Sequence, residues 1–440
     1  MKPTIDHLLA IAALPASAIS VKARRYSAYS LFDWLVCARA GAGEPVSSII
    51  REYLESEGGT PVATVAGSKQ KLPTRAAALV NGTISHALDY DDTHFAHIGH
   101  LSVGIYPAAL AVGEQVGASA SQVRDAFVLG AEAACRLGMV LGRVHYQRGF
   151  HQTATAGAFG ATIAAGRLYG LNAQQMRNAL SLVSTRASGL KSQFGTMGKP
   201  MNAGLAAANG VEAAGLARLG LVSADDGIGA PQGFIDTHSD GPDQITPWKD
   251  APPKAFVFED IKYKLHACCH GTHAMIEALK TAQQRQPLAI DDIKEITVVT
   301  HPRWLKVCDI KQPRTGLEVK FSYVHLAAMV MKSSDTSADT TYTDALAESS
   351  ELKALAKRVV VGTDESLNDT TAHVTIARKS GAKISAAHDL STPIADDVLE
   401  VGLRAKATGL LGIETAERIW LAVAKIESIS AHDIGRLLAP

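Results

Sequence analysis

The sequence predicts a mainly α protein with a large helical domain and a smaller α+β domain, and three observations carry that prediction. Residues 1 to about 260 read as helix after helix, with no strand-like alternation. Glycine (37 residues) and alanine are plentiful and aromatics make up only 5%, so helices can approach one another closely. After about residue 265, β-branched alternation sets in, and from about Asp396 the pattern is helical again. The expected domains are therefore 1–265 with 396–440, helical, and 266–395, α+β, inserted or appended.

The elements follow in order. Leu8 to Leu14 reads as a first core helix. Ser27 to Ala40 carries Leu31, Phe32, Trp34, Leu35 and Val36 and ends near Gly41 and Gly43. Arg75 to Tyr90 sets Leu79, Ile84 and Leu88 among small residues. Ile105–Gln115, Ala120–Gly138, Thr153–Gly170 and Pro200–Gly220 continue the helical pattern, and Asn172 is placed to cap a helix running to Ala187. Beyond the change of pattern, His270–Arg285 and Val324–Lys332 are expected as helices. Ile293–Thr300 and Arg358–Val361 are expected as strands. Thr371–Arg378 and Ala382–Ala387 flank Lys379-Ser380-Gly381, a hairpin signal. The stretch TAERIWLAVAKIESI is amphipathic helix.

Composition excludes several classes. At 440 residues, 47% hydrophobic and 20% charged, the chain can bury a sizeable core, so disorder is not its main state. Lys+Arg and Asp+Glu are both 43, which leaves no electrostatic footprint for nucleic acid or an anionic membrane. The five cysteines (Cys37, Cys135, Cys268, Cys269, Cys308) are few, odd in number and mostly scattered, a reduced, cytoplasmic pattern. No apolar run approaches the roughly 18 residues of a membrane helix. Ala16-Ser17-Ala18 resembles a leader cleavage site, but Asp6 and His7 beside Lys2 and a short apolar stretch argue against a leader.

Nucleophile elbows, P-loops, H-E-x-x-H and C-x-x-C pairs are absent. Four polar clusters remain. Asp89, Asp91 and Asp92 precede His94, His97 and His100, where a carboxylate can orient an imidazole. His145 and His151 flank Gly149 before a small-residue helix whose start favours an anion. Lys199 lies between Gly198 and Pro200, a cation suited to a carboxylate. Lys264, His266, Cys268, Cys269, His270 and His273 crowd one stretch near the change of pattern, where an interdomain cleft is expected. A zinc or iron–sulfur site there is disfavoured, because adjacent cysteines diverge and no second ligand pair has the required spacing.

These blocks resemble a known family. HALDYDDTH at 86–94, GFHQTATAGAFGA at 149–161, GTMGKPMNAGLAAANG at 195–210 and the stretch from Lys264 to His273 are similar, in order, to the MmgE/PrpD family. That family includes 2-methylcitrate dehydratases, cis-aconitate decarboxylases and iminodisuccinate epimerase. The resemblance implies a large all-helical domain, from the N-terminal part plus the C-terminal tail, with an inserted smaller α+β lid domain. It implies a homodimer, no metal and no cofactor. The residues matching the family's site are Asp89, Thr93, His100, His151, Lys199, Lys264 and Cys269. Members carry His-Pro-Ser where this chain has His100-Leu101-Ser102. Many carry a tyrosine where this chain has His325, with Tyr323 two residues earlier.

The implied chemistry is cofactor-free proton transfer beside a carboxylate in a di- or tricarboxylic acid. Lys199 and Lys264 would hold substrate carboxylates and stabilise an enediolate. His100, steadied by Asp89, would be the leading acid or base, and His151 the second or a carboxylate ligand. Thr93, Cys269, Tyr323 and His325 would contact substrate. A 2-methylcitrate dehydratase-like hydro-lyase stands first, and decarboxylation or epimerisation can use the same constellation. A non-catalytic carboxylate-binding protein is the remote alternative. A charged histidine at 325 would favour an extra carboxylate over 2-methylcitrate.

Overall fold

The structure is a computed structural model and describes residues 2–440. It is mainly α, and the described residues divide into two compact units, one of residues 2–263 with 413–440 and one of residues 264–412.

The first unit is helical. Helix α1 (Thr4–Ala12) buries Ile5, Leu8 and Ile11, as its apolar spacing predicts; each such burial stabilises by roughly 1.5–3 kcal/mol. Then follow α2 (Val21–Gly41), α3 (Pro45–Glu57), α4 (Thr74–Ser85), α5 (Ser102–Val116), α6 (Ala120–Arg148), α7 (Thr155–Leu168), α8 (Ala173–Val183) and α9 (Gly198–Arg218). The Asn172 side chain accepts from Gln175 N–H at the start of α8, and Gln175 answers in a capping box, so the predicted cap is present. Returning helices Ile413–Ala424 and Ala431–Leu438 pack on α2 and α5, with Trp420 edge-on to Phe32 at 5.0 Å.

Two expectations fail in this unit. The helix expected over Arg75–Tyr90 stops at Ser85. Beyond it His86 and Asp91 pair side chain to side chain, which needs a turn and not a continuing helix. A short antiparallel pair, β1 (Ala63–Thr64) and β2 (Lys71–Leu72), also lies where no strand was expected; two residues are too few to show alternation.

Helix α9 packs against α4 and α7 at backbone distance. A Cβ on Gly204 would stand 2.3 Å from the Leu79 carbonyl oxygen, and one on Gly82 would stand 2.7 Å from Gly204 Cα. The small-residue composition is used here: α4 and α9 touch where neither carries a side chain. Gly204→Ala is therefore expected to destabilise by about 1–3 kcal/mol through overpacking. Urea unfolding measures it, and an unchanged midpoint would show that the two helices can part freely.

The second unit is α+β. Its sheet has the order β4-β3-β5-β6, with β3 (Ile293–Thr300) parallel to β4 (Val359–Thr363) and antiparallel to β5 (Thr371–Arg378). Strand β6 (Lys383–Asp389) completes a hairpin with β5 around Gly381, whose φ of 90° demands the missing Cβ. The helix His273–Arg285 packs on β5 and β6 and buries Met275, Ile276 and Leu279, while Ile296, Val298, Val374 and Ile376 line the inner face of the sheet. The helix Asp396–Leu411 groups with this unit and not with the first, contrary to the expected return at 396. A Cβ on its Gly402 would stand 2.9 Å from Leu265 Cδ1, so the helix lies directly on the opening segment of the unit.

Candidate active site

Three helix ends in the first unit supply the site: the end of α4, the approach to α7 and the start of α9. After Ser85 the chain turns through Asp89, whose φ of 50° is left-handed, a region aspartate tolerates better than most residues. A tight loop follows, closed by His94 N–H donating to Gly99 O at 2.8 Å. Ile98 within it has φ 56°, a strained conformation for a β-branched residue. His94 Nε2 donates to Val257 O (2.9 Å), and His97 Nδ1 donates to Ala134 O (3.1 Å). Thr93 pairs with Lys262 through two 2.8 Å backbone hydrogen bonds. His94 and His97 therefore hold the loop in place.

The three carboxylates have different partners. Asp92 caps α5 from a distance, accepting from Leu101 N–H (3.3 Å), Ser102 N–H (3.2 Å) and the Ser102 hydroxyl. Asp91 is fully buried between two imidazoles: His86 Nδ1 donates to Oδ1 at 2.8 Å, and His100 Nδ1 lies 2.7 Å from Oδ2. Asp89 faces the other side of His100, with Oδ1 3.6 Å from Nε2, and Lys199 Nζ lies 2.6 Å from its Oδ2. Lys199 sits in the first turn of α9, 5.4 Å from the centre of the Phe194 ring. His151 is buried, stands edge-on to Phe194 at 4.9 Å, and its Nδ1 accepts from Asn202 Nδ2 at 3.2 Å.

Burial alone would raise the Asp91 carboxyl; His100 and His86 outweigh it and hold it well below the usual range. Burial, with the charges of His86 and Lys199 adding to it, holds the His151 imidazole well below 6.5. Burial pushes His97 down to about 3 and His145 down to about 4. An unfolded chain protonates these imidazoles near pH 6.5 and the folded chain does not. Their contribution to stability is thus complete above pH 6.5 and is lost as pH falls toward those lower values. Asp92 acts oppositely. Burial outweighs the Ser102 hydroxyl and, with Asp33 and Asp91 nearby, pushes its carboxyl up to about 7, so it favours the folded state as pH falls from there. Three imidazoles outweigh one carboxyl, so Tm is expected to fall between about pH 7 and pH 4. His97→Gln should flatten that slope; an unchanged slope would mean His97 is not held neutral.

Asp89, Thr93, His100, His151 and Lys199 thus belong to the first unit, and Asp89, His100, His151 and Lys199 come together in one cluster. Lys264, Cys269, Tyr323 and His325 belong to the second unit. There Lys264 is buried, and its charge adds to the lowering of the His273 imidazole, which burial dominates. Cys269 N–H donates to Lys320 O at 3.0 Å. Burial pushes the neighbouring Cys268 thiol up to about 12, so it is no thiolate. The Tyr323 hydroxyl donates to Gly271 O at 2.7 Å, which engages the donor expected to meet substrate. His325 is buried, and burial lowers its imidazole from the usual value, which disfavours the charge expected to suit an extra carboxylate.

Two side chains that touch the candidate cluster escaped the sequence reading: His86, on Asp91, and Asn202, on His151. Their signal lay inside HALDYDDTH and MNAG, but nothing in the spacing says which imidazole a given carboxylate meets. His86, Asp89, Asp91 and His100 also bring one ligand atom each within 4.8 Å of one another, a grouping that could hold a metal ion. The sequence drew attention to metal chemistry at Cys268–His273; the compact set of ligand types lies here instead. Its acidic groups already have partners: the Lys199 ammonium on Asp89 and two imidazoles on Asp91.

A buried acid–base cluster with one lysine, on a large helical unit accompanied by a small α+β unit, defines a class of protein. Residues 10–245 match the MmgE/PrpD N-terminal domain and residues 266–428 the MmgE/PrpD C-terminal domain. The chain belongs to the MmgE/PrpD family. It is 30% identical over 273 residues to a cis-aconitate decarboxylase of Aspergillus terreus, covering 59% of this chain and 56% of that enzyme. It is 26% identical to the cis-aconitate decarboxylase-like protein oryM of Aspergillus oryzae, over 93% of this chain and 91% of that protein. The human cis-aconitate decarboxylase is 24% identical, over 91% and 86% respectively. Among the described residues no helix is long and apolar enough to cross a membrane.

Proposed function

We propose that this protein is a lyase acting on a tricarboxylic acid, and that it decarboxylates a substrate of the cis-aconitate type. The observation that carries the reading is the contact of an ammonium, a carboxylate and an imidazole: Lys199 Nζ 2.6 Å from Asp89, and Asp89 3.6 Å from His100 Nε2. Relatives named as cis-aconitate decarboxylases over nine tenths of the chain support the decarboxylating branch.

In this reading a substrate carboxylate takes the place of Asp89 as partner of Lys199. The ammonium then faces a carboxylate conjugated with the reacting carbons. Cleavage of the carbon–carbon bond releases carbon dioxide and leaves its electron pair on the allylic system. Negative charge spreads onto the retained carboxylate, where Lys199 stabilises it. A histidine then gives a proton to carbon, and the imidazole recovers its proton from water. Dehydration is the second reading, since the same groups can remove a proton α to a carboxylate and protonate a leaving hydroxyl.

The test is to incubate the protein separately with cis-aconitate and 2-methylcitrate, following released carbon dioxide, double-bond absorbance and solvent deuterium uptake. Carbon dioxide from cis-aconitate is expected, with 2-methylcitrate dehydrated weakly. Efficient dehydration without carbon dioxide would transfer the assignment to the hydro-lyase branch. Chelator is expected to leave turnover unchanged, because Asp89 and Asp91 have their partners within the protein; an activity that returned only with added metal would give the cluster to the ion.

A further inference from the structure

We infer that the two histidines of the site are held in opposite tautomers by different partners: Asp91, backed by His86, places the proton of His100 on Nδ1, and Asn202 places the proton of His151 on Nε2. His100 is thereby a base at Nε2 and His151 a neutral donor at Nε2. Asp91, His86 and Asn202 are positioning residues.

The assignment for His100 rests on two distances. Nδ1 lies 2.7 Å from Asp91 Oδ2, an ion-pair contact off the line of a hydrogen bond, and a bare lone pair is disfavoured that close to an acceptor-only oxygen, so the proton sits on Nδ1. On the opposite side, Asp89 Oδ1 is 3.6 Å from Nε2, beyond ordinary hydrogen-bond distance. His86 donates its own Nδ1–H to Asp91 Oδ1, which orients the carboxylate with Oδ2 toward His100. Asp91 has no exposed surface, so water does not compete for it.

The assignment for His151 rests on the orientation of Asn202. Its Nδ2 lies 3.3 Å from Leu190 O, a carbonyl that can only accept, and this fixes which end of the amide is the donor. The same Nδ2 lies 3.2 Å from His151 Nδ1, which therefore accepts. A neutral imidazole that accepts at Nδ1 carries its proton at Nε2. The pairing divides the labour that proton transfer requires. Two imidazoles in one tautomer would offer the substrate two lone pairs or two donors, whereas opposite tautomers offer one of each without either ring being charged.

Nitrogen-15 NMR of the full-length protein labelled in its histidine rings tests this without any substrate. Spectra are recorded at roughly pH 8.5, where an ordinary imidazole is neutral, and the two rings are assigned from His100→Asn and His151→Asn. The expected result is protonated Nδ1 in His100 and protonated Nε2 in His151; the same tautomer in both rings overturns the inference. Asp91→Asn keeps one acceptor and gains one donor, so the proton of His100 or that of His86 should move to Nε2, and Asn202→Asp should move the His151 proton to Nδ1. In a folded variant, His86 and His100 both remaining unmoved, or His151 remaining unmoved, also overturns it. Should a variant fail to fold, the wild-type spectrum decides.

The kinetic arm rests on the proposed lyase reading. Asp91→Asn should lower kcat about a hundredfold or more while KM stays within a few-fold, the pattern of a misplaced proton and not of lost binding. Wild-type spectra as expected, together with no acid turned over, would uphold the tautomers and remove the lyase. Turnover with kcat unchanged in Asp91→Asn would do the reverse.

Discussion

Replacement of His100 by asparagine is expected to lower turnover by about 10²–10⁴-fold with little loss of fold, because that is the usual contribution of a positioned acid or base. Asparagine is the informative choice. Its Nδ2 can stand near the place of the imidazole Nδ1 and keep a donor on Asp91, whose buried carboxylate would otherwise be left facing an empty space. Alanine would mix the loss of chemistry with the cost of an unpaired buried charge. Thermal unfolding separates the two effects. A variant with near-native Tm that kept more than half of the wild-type rate would remove His100 from the mechanism.

Lys199→Met is expected to lower kcat/KM by about 10²–10³-fold, comparable to removing one donor from an anion-stabilising site. The lysine stem lies largely covered, with only its end reaching Asp89, so methionine fills most of the same volume and the change falls on charge. Both parameters should suffer: KM because a substrate carboxylate loses its counter-charge, kcat because the charge that develops in the transition state does too. Lys199→Arg would restore charge but not shape, and partial recovery of KM alone is expected from it. Unchanged kcat and KM in Lys199→Met would leave the lysine as nothing more than a partner for Asp89.

The sequence by itself determined the class of fold and which residues to consider as a candidate site. Helices with strong apolar period and proper caps, such as α8 with Asn172, were legible because capping and periodicity act within a few residues of chain. Strand β3 was legible to the residue, since β-branched alternation is equally local. Lys199, Asp89, His100 and His151 were legible as candidates through their motifs.

Other features were decided by the tertiary structure, each because its partner lies far away in the chain. The helix Asp396–Leu411 joined the second unit because its Gly402 meets Leu265, more than a hundred residues earlier. Tyr323 and His325 were drawn into the interior of the second unit, where Gly271 takes the tyrosine hydroxyl and burial lowers the histidine's pKa. The helix after Thr74 ended at Ser85, where the pairing of His86 with Asp91 makes a turn. Three aspartates within four residues look alike in sequence. The fold gives one an ammonium, one two imidazoles and one the start of a helix. Charge and proton position depend on what stands within 3 Å, and the sequence does not contain that distance.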